Sequence, residues 1–158
     1  MTSTTQDPAA AQVATTQVYQ IFVKATPEAI WDAITKPEFT ARYFYGARVE
    51  TTAEVGGPFR YHAADGQSLW GDERVLESDA PRRLVTTWRS LYDEEAAQEP
   101  ASRVSWEIEP QGEEYCKLTV VHDQLERSPK TARSVYGPGW MFVLSGLKTV
   151  LETGQSLT

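Results

Sequence analysis

The stretch over residues 140–154 reads WMFVLSGLKTVLETG and decides the fold. Its apolar residues fall at positions 140, 143, 144, 147, 150 and 151, the spacing of one face of an amphipathic α-helix. Gly154 follows the last of them and suits a C-terminal cap, because glycine adopts the left-handed conformation without steric cost. This stretch is therefore predicted to be one long helix whose apolar face packs against the rest of the domain.

The residues before this helix carry the two-residue period of β-strands. Residues 103–109 and 115–122 alternate between apolar and polar side chains, as half-buried strands do. Their inward faces are predicted to be Val104, Trp106 and Ile108 and, on the second strand, Cys116, Leu118, Val120 and His122. Further strands are predicted over residues 18–24, 48–53, 59–62, 68–77 and 83–89. Two short helices are expected near residues 27–35 and 38–44, and a loop rich in glycine and proline over residues 128–139.

This order of elements predicts an α+β fold. A curved antiparallel sheet of about six to seven strands should wrap around the C-terminal helix, with the two short helices after the first strand. We expect one domain over residues 17–158 and a disordered tail over residues 1–16, which lack hydrophobic periodicity.

Composition excludes several classes of partner. The formal net charge of -7 and the sequence pI of about 4.9 disfavour nucleic acid, whose phosphates an acidic surface repels. No window approaches the roughly 18 apolar residues of a membrane span, so no membrane insertion is expected. Cys116 is the single cysteine, which rules out an internal disulfide and favours a reducing cytoplasm.

The titratable residues give little support for catalysis. His62, Cys116 and His122 are scattered and lack the spacing of metal ligands, so no metal is expected, and no glycine-rich phosphate loop points to a cofactor. Three roles are open for His122: a hydrogen-bonded core histidine, a polar contact for a ligand, or a general base. Glu73 is the other weak catalytic candidate, and adjacent Asp72 should face the opposite side of its strand.

Three ordered motifs carry a resemblance to a known family. Residues 25–38 (ATPEAIWDAITKPE), residues 81–88 (PRRLVTTW) and the C-terminal stretch that ends LKTVLETG resemble the family named for the activator of the 90-kDa heat-shock protein ATPase. The resemblance implies the START-like (SRPBCC) helix-grip fold, in which a sheet grips the last helix around a hydrophobic cavity. Residues 71–75 depart from the family's spacing, and a β-bulge is expected there.

The resemblance and the aromatic residues together suggest a function. The first hypothesis is a protein that binds a hydrophobic or amphipathic small molecule, such as a lipid or polyketide, between sheet and helix. The second is an interaction domain that regulates a chaperone ATPase in the stress response, although this chain has room for the helix-grip domain only. The third is a cyclase- or hydrolase-like enzyme acting in the same cavity. A monomer or weak homodimer is expected, and an enzyme is not favoured.

The predicted cavity wall consists mainly of aromatic residues. Trp88, Trp106 and Trp140 are the tryptophans placed there, although bulky aromatics can equally fill a core. The cluster over residues 43–45, Tyr-Phe-Tyr, is expected at one mouth of the cavity or at a packing corner. The complete predicted ligand-binding set is Tyr43, Phe44, Tyr61, Trp70, Trp88, Trp106, His122, Tyr136, Trp140, Val143, Leu144 and Leu147.

Overall fold

The computed structural model describes residues 13–158. The strands are β1 (Gln17–Val23), β2 (Arg48–Thr51), β3 (Pro58–His62), β4 (Leu69–Asp79), β5 (Arg83–Trp88), β6 (Ser102–Pro110) and β7 (Cys116–Asp123). The helices are α1 (Pro27–Thr35), α2 (Pro37–Tyr43), α3 (Pro129–Val135) and α4 (Pro138–Thr153), with a 3₁₀ turn at Ala96–Gln98. Most of the predicted tail, residues 1–12, lies outside the described residues.

The seven strands form one antiparallel sheet in the order β1-β7-β6-β5-β4-β3-β2. The first strand therefore pairs with the last, and α4 lies against the sheet's inner face together with α1 and α2. Thr26 caps the N-terminus of α1, because its hydroxyl accepts the Ala29 N–H at 3.1 Å, and Pro27 occupies the first helical position. The α+β helix-grip prediction is confirmed.

The predicted inward-facing residues of β6 and β7 lie opposite one another in the sheet. Residue Val104 lies opposite His122, Trp106 opposite Val120, and Ile108 opposite Leu118. All six side chains are buried, and so is the predicted stripe of α4 except for Leu151, which is partly buried. Gly154 ends α4 in the left-handed conformation with φ of 76°, as expected of a C-terminal glycine.

A glycine sets how closely α4 approaches α2. Gly146 is buried in α4, and a Cβ atom added there would lie 3.0 Å from the Cβ of Tyr43. Because glycine lacks that atom, the two helices can cross in close contact. This contact sets the position of α4 relative to α2, which the apolar stripe alone did not determine.

The prediction of a loop over residues 128–139 is wrong in part. Residues 129–135 form α3, and α4 begins at Pro138, two residues before its apolar stripe. Each helix carries proline at its first position, where the missing N–H costs no hydrogen bond. The carboxylate of Glu99 accepts the N–H groups of Lys130 and Thr131, both at 2.9 Å. This cap comes from a distant loop, so the local sequence gives little sign of α3.

β4 changes partner along its length. Its first half pairs with β3 as far as Arg74, and its second half pairs with β5 from Val75 onward. The register shifts at Trp70 and at Leu76, which flank the segment where a bulge was expected. The ladder between β4 and β5 is therefore missing beside residues 70–74.

Candidate functional site

A cavity of about 340 Å³ opens at the end of the sheet formed by β3, β4 and β5. Helices α3 and α4 form its opposite wall. Its lining residues come from seven segments of the chain: Phe44, Tyr45, Tyr61, Trp70, Trp88, Tyr92, Ser134, Val135, Gly139, Trp140 and Val143. None of them carries a charge, so the interior suits an uncharged guest.

Aromatic rings in contact with one another build the inner wall. The rings of Phe44 and Tyr61 lie parallel with centroids 4.5 Å apart, and Trp88 lies 5.8 Å from Tyr61. Trp140 continues the wall from α4, with its ring 5.8 Å from that of Trp88. Such a wall offers flat, polarisable surface to a ligand while the rings support one another.

His122 lies behind this wall and is fully buried between Trp88 and Trp140. Its Nδ1 accepts the Trp140 indole N–H at 3.2 Å, so the neutral ring carries its proton on Nε2. The Nε2–H then donates to the Ser102 hydroxyl at 2.8 Å, and that hydroxyl donates to the carbonyl of Trp88 at 3.0 Å. Burial lowers the pKa of His122 to about 3. Both ring nitrogens are thus occupied, and the residue holds the wall in place.

Glu73, the other catalytic candidate, fills the gap in the ladder between β4 and β5. Its carboxylate accepts the hydroxyl of Thr87 at 2.6 Å and pairs with Arg89, whose Nε lies 3.3 Å away. The Arg74 N–H also donates to the Thr87 hydroxyl, at 3.1 Å. Side-chain hydrogen bonds thereby replace the missing backbone pairs. Neither Glu73 nor His122 presents an acid or base at the lining.

The mouth of the cavity is bounded by α3 and the loop over residues 91–100. Here the hydroxyl groups of Tyr92 and Ser134 hydrogen-bond at 2.5 Å, and Trp70 packs edge-on against Tyr92. Behind them, Glu99 caps α3 and Glu95 pairs with Lys130 at 3.2 Å. The Tyr92–Ser134 bond spans the two segments that border the entrance. Polar contacts therefore join this loop to α3.

The structure brings half of the predicted ligand-binding set to the cavity. The lining members are Phe44, Tyr61, Trp70, Trp88, Trp140 and Val143. The members elsewhere are Tyr43, Trp106, His122, Tyr136, Leu144 and Leu147.

The six other members are placed by packing and exposure. Tyr43 is buried and its hydroxyl donates to the carbonyl of Ala33 at 2.7 Å. Trp106 packs edge-on against Trp140 with the ring centres 5.5 Å apart. Leu144 and Leu147 are core residues of α4, and Tyr136 is exposed. That the lining residues bind a ligand stays a prediction.

Five lining residues were absent from the predicted set. Tyr45 belongs to the aromatic cluster over residues 43–45, which was predicted at the mouth or at a packing corner. Tyr92 lies in the connection between β5 and β6, and Ser134, Val135 and Gly139 lie in the loop predicted over residues 128–139, which proved partly helical. The proline at the start of each helix was the one available signal for α3 and for the early start of α4.

Other site classes find no geometric basis in residues 13–158. No group of three His, Cys, Asp or Glu side chains in this part of the chain is placed to hold a metal ion. The Cys116 thiol donates to the carbonyl of Ala25, and burial raises its pKa, which makes it a poor nucleophile. None of the helices described here is long and apolar enough to cross a membrane.

A seven-stranded sheet closed on a long C-terminal helix defines the START-like helix-grip class. The chain belongs to the family described as "Activator of Hsp90 ATPase homolog 1-like protein", whose family model matches residues 24–152. The resemblance drawn from the three motifs is therefore confirmed. No curated protein matches this sequence.

Solved structures show the same fold at low sequence identity. Protein MLL2253 from Mesorhizobium loti is 22% identical with a TM-score of 0.71, over 87% of this chain and 96% of that one. CalU16 from Micromonospora echinospora is 20% identical with a TM-score of 0.67, over 90% and 77%. The Aha1 dimer from Colwellia psychrerythraea is 17% identical with a TM-score of 0.69, over 89% and 98%.

Proposed function

We propose that this protein binds a hydrophobic or amphipathic small molecule between its sheet and its C-terminal helix. The observation that supports this best is the uncharged, aromatic-walled cavity of about 340 Å³. Ligand pockets fall at about 300–1,000 Å³ and are lined mostly by apolar and aromatic side chains with a few polar groups. Lipids and polyketides are the ligand classes to test first. A cytoplasmic location remains the expectation.

The aromatic wall favours a binder because its rings are already supported. His122 holds Trp140 by a hydrogen bond, and Phe44 is stacked on Tyr61. These side chains lose little freedom when a ligand arrives, so more of the contact energy remains as affinity. The tryptophans at positions 88 and 140 also provide a fluorescence signal within the proposed site.

Titration of the pure protein tests the proposal. A polarity-sensitive fluorophore and a panel of fatty acids and polyketides would be added while tryptophan fluorescence is recorded. We expect saturable quenching by at least one ligand and displacement of the fluorophore. Absence of binding at high micromolar concentration would contradict the proposal.

A matched pair of variants locates the binding. Val143→Phe adds bulk inside the cavity and should weaken binding at least about tenfold, because the ring occupies ligand volume. Met141→Phe makes a similar change on the exposed side of the same helix and should leave affinity unchanged. Equal affinities in both variants would place the bound ligand outside this cavity.

Family membership supports a second candidate, regulation of a chaperone ATPase. The Colwellia structure is described as an Aha1 dimer, so a homodimer also belongs to this proposal. The test is ATP hydrolysis by the bacterial 90-kDa chaperone with increasing amounts of this protein. Stimulated turnover would support the candidate, and unchanged turnover would remove it.

A further inference from the structure

Two tyrosines of the core differ in what their hydroxyl groups contact. Tyr43 and Tyr61 are each 4% exposed. The Tyr43 hydroxyl donates to the carbonyl of Ala33, whereas no group within residues 13–158 hydrogen-bonds the Tyr61 hydroxyl. No side-chain oxygen or nitrogen in this part of the chain is both sealed from solvent and unpartnered. The unpartnered Tyr61 hydroxyl is therefore not sealed, and the cavity that Tyr61 lines is the space open to it.

The ring of Tyr61 is held firmly, so this hydroxyl has a fixed position. Phe44 stacks on one face at 4.5 Å, and Phe59 packs edge-on at 5.4 Å. Gly71 lies beneath the ring, and a Cβ atom there would come within 3.3 Å of the Tyr61 Cδ2. The hydroxyl cannot turn to another partner without displacing the core around it.

The other polar side chains of the lining have partners or are at least partly exposed. The Trp88 N–H donates to the Ser90 hydroxyl at 3.4 Å, and Trp70 is only partly buried. Tyr92 and Ser134 bond to each other at the mouth, and the Trp140 N–H is donated to His122. Tyr45 is about half exposed. The Tyr61 hydroxyl is therefore the deep hydrogen-bonding group that a ligand can still use. Burial removes water from a phenol hydroxyl, so a hydrogen bond from that hydroxyl to a ligand contributes more free energy there than at an exposed site.

Resting on the function proposed above, we propose that Tyr61 selects flat, uncharged ligands that carry a hydrogen-bond acceptor, such as a ring ketone. The acceptor would receive the Tyr61 O–H while the ring system lies along Trp88 and Trp140. A hydrocarbon of the same shape leaves the hydroxyl without a partner. A carboxylate brings a charge to a lining that holds no cation, and burying such a charge is costly.

Fluorene and 9-fluorenone provide the test, because they differ only in a methylene and a carbonyl group. The dissociation constants of both probes would be measured for the wild type, Tyr61→Phe and Tyr43→Phe. The ratio of the fluorene constant to the fluorenone constant should fall about three- to tenfold in Tyr61→Phe, the loss of one hydrogen bond. Tyr43→Phe should leave the ratio unchanged even if it lowers the melting temperature. Fluorene-9-carboxylate should bind the wild type most weakly.

The carbonyl stretch of bound fluorenone gives a second readout that needs no variant. A hydrogen bond from Tyr61 should lower its infrared frequency in the wild-type complex relative to fluorenone in an apolar solvent. An unshifted band, or an unchanged affinity ratio in Tyr61→Phe, would overturn the role of Tyr61 and leave ligand binding intact. Failure of both probes and of the wider ligand panel to bind the wild type would overturn the proposed function itself.

Discussion

Aromatic residues lie along the whole inner face of the sheet, but the two ends of the sheet differ in how tightly these residues are packed. At the closed end, defined by Trp106, Ile108 and Leu118, paired strands and helices leave every side chain packed. At the open end, defined by Tyr61, Trp70 and Trp88, a cavity remains. Aromatic content therefore does not decide whether space is filled. The covering elements decide it, because the cover of the open end consists of the short α3, the start of α4 and loop residues such as Tyr45 and Tyr92.

The largest expected effect comes from truncating one tryptophan at each end. Trp106→Ala should lower the free energy of unfolding by about 3–5 kcal/mol, because a fully packed ring leaves a void. Trp70→Ala, at a partly exposed site on the cavity, should cost no more than about 1 kcal/mol but weaken ligand binding. Urea unfolding and ligand titration measure the two quantities. Equal losses of stability would show that the open end is packed as tightly as the closed one.

The histidine behind the wall predicts a pH dependence. Its folded pKa of about 3 lies below the ordinary value of 6.5, so the unfolded chain binds the proton more readily. The stability it contributes is complete above pH 6.5 and is lost as the pH falls toward 3. Between pH 7 and pH 5 this amounts to about 2 kcal/mol, at about 1.4 kcal/mol per pH unit below 6.5.

His122→Gln isolates that contribution, because glutamine cannot be protonated in this range. The gap in stability between wild type and His122→Gln should therefore narrow by about 2 kcal/mol from pH 7 to pH 5. The control is His62→Gln, since His62 is partly exposed and pairs with Glu50 rather than with the aromatic wall. That variant should keep the wild-type decline. Parallel stability curves for wild type and His122→Gln would contradict a buried neutral histidine.

The two ends of the sheet also differ in how far the sequence predicts them. Alternation along a strand is local, so the buried positions of Val104 and Trp106 were predictable from neighbouring residues alone. The cover of the open end depends on contacts across the chain. Glu99 caps a helix about thirty residues away, and Gly146 sets the approach of α4 to α2. Aromatic wall residues could thus be predicted, whereas the mouth formed by Tyr92 and Ser134 could not.

A smaller effect is expected from removing the cap of α3. Glu99→Ala leaves two N–H groups without their acceptor and should cost about 1 kcal/mol, the usual value of a helix cap. Amide hydrogen exchange should become faster at Lys130 and Thr131. Glu94→Ala removes the same charge from an exposed position and is the matched control. If both variants exchange alike, the cap does not order the cover of the open end.

The smallest effect on stability is expected at the mouth. Tyr92→Phe removes one hydroxyl from an exposed hydrogen bond with Ser134, so the free energy of unfolding should change by less than about 0.5 kcal/mol. The bond spans the entrance, and its loss should let a bound ligand leave about two- to fivefold faster. Stopped-flow displacement of a fluorescent ligand measures this rate.

A double-variant cycle decides whether the Tyr92–Ser134 bond itself slows ligand exit. Ser134→Ala removes the other partner and should raise the dissociation rate by a similar factor. The combined variant should then be no faster than either single variant, because both changes delete one bond. If the increase in dissociation rate in the combined variant equals the product of the two single increases, the two side chains act separately. The open end would then be an entrance with two independent walls, rather than one held closed by a bond between the loop and α3.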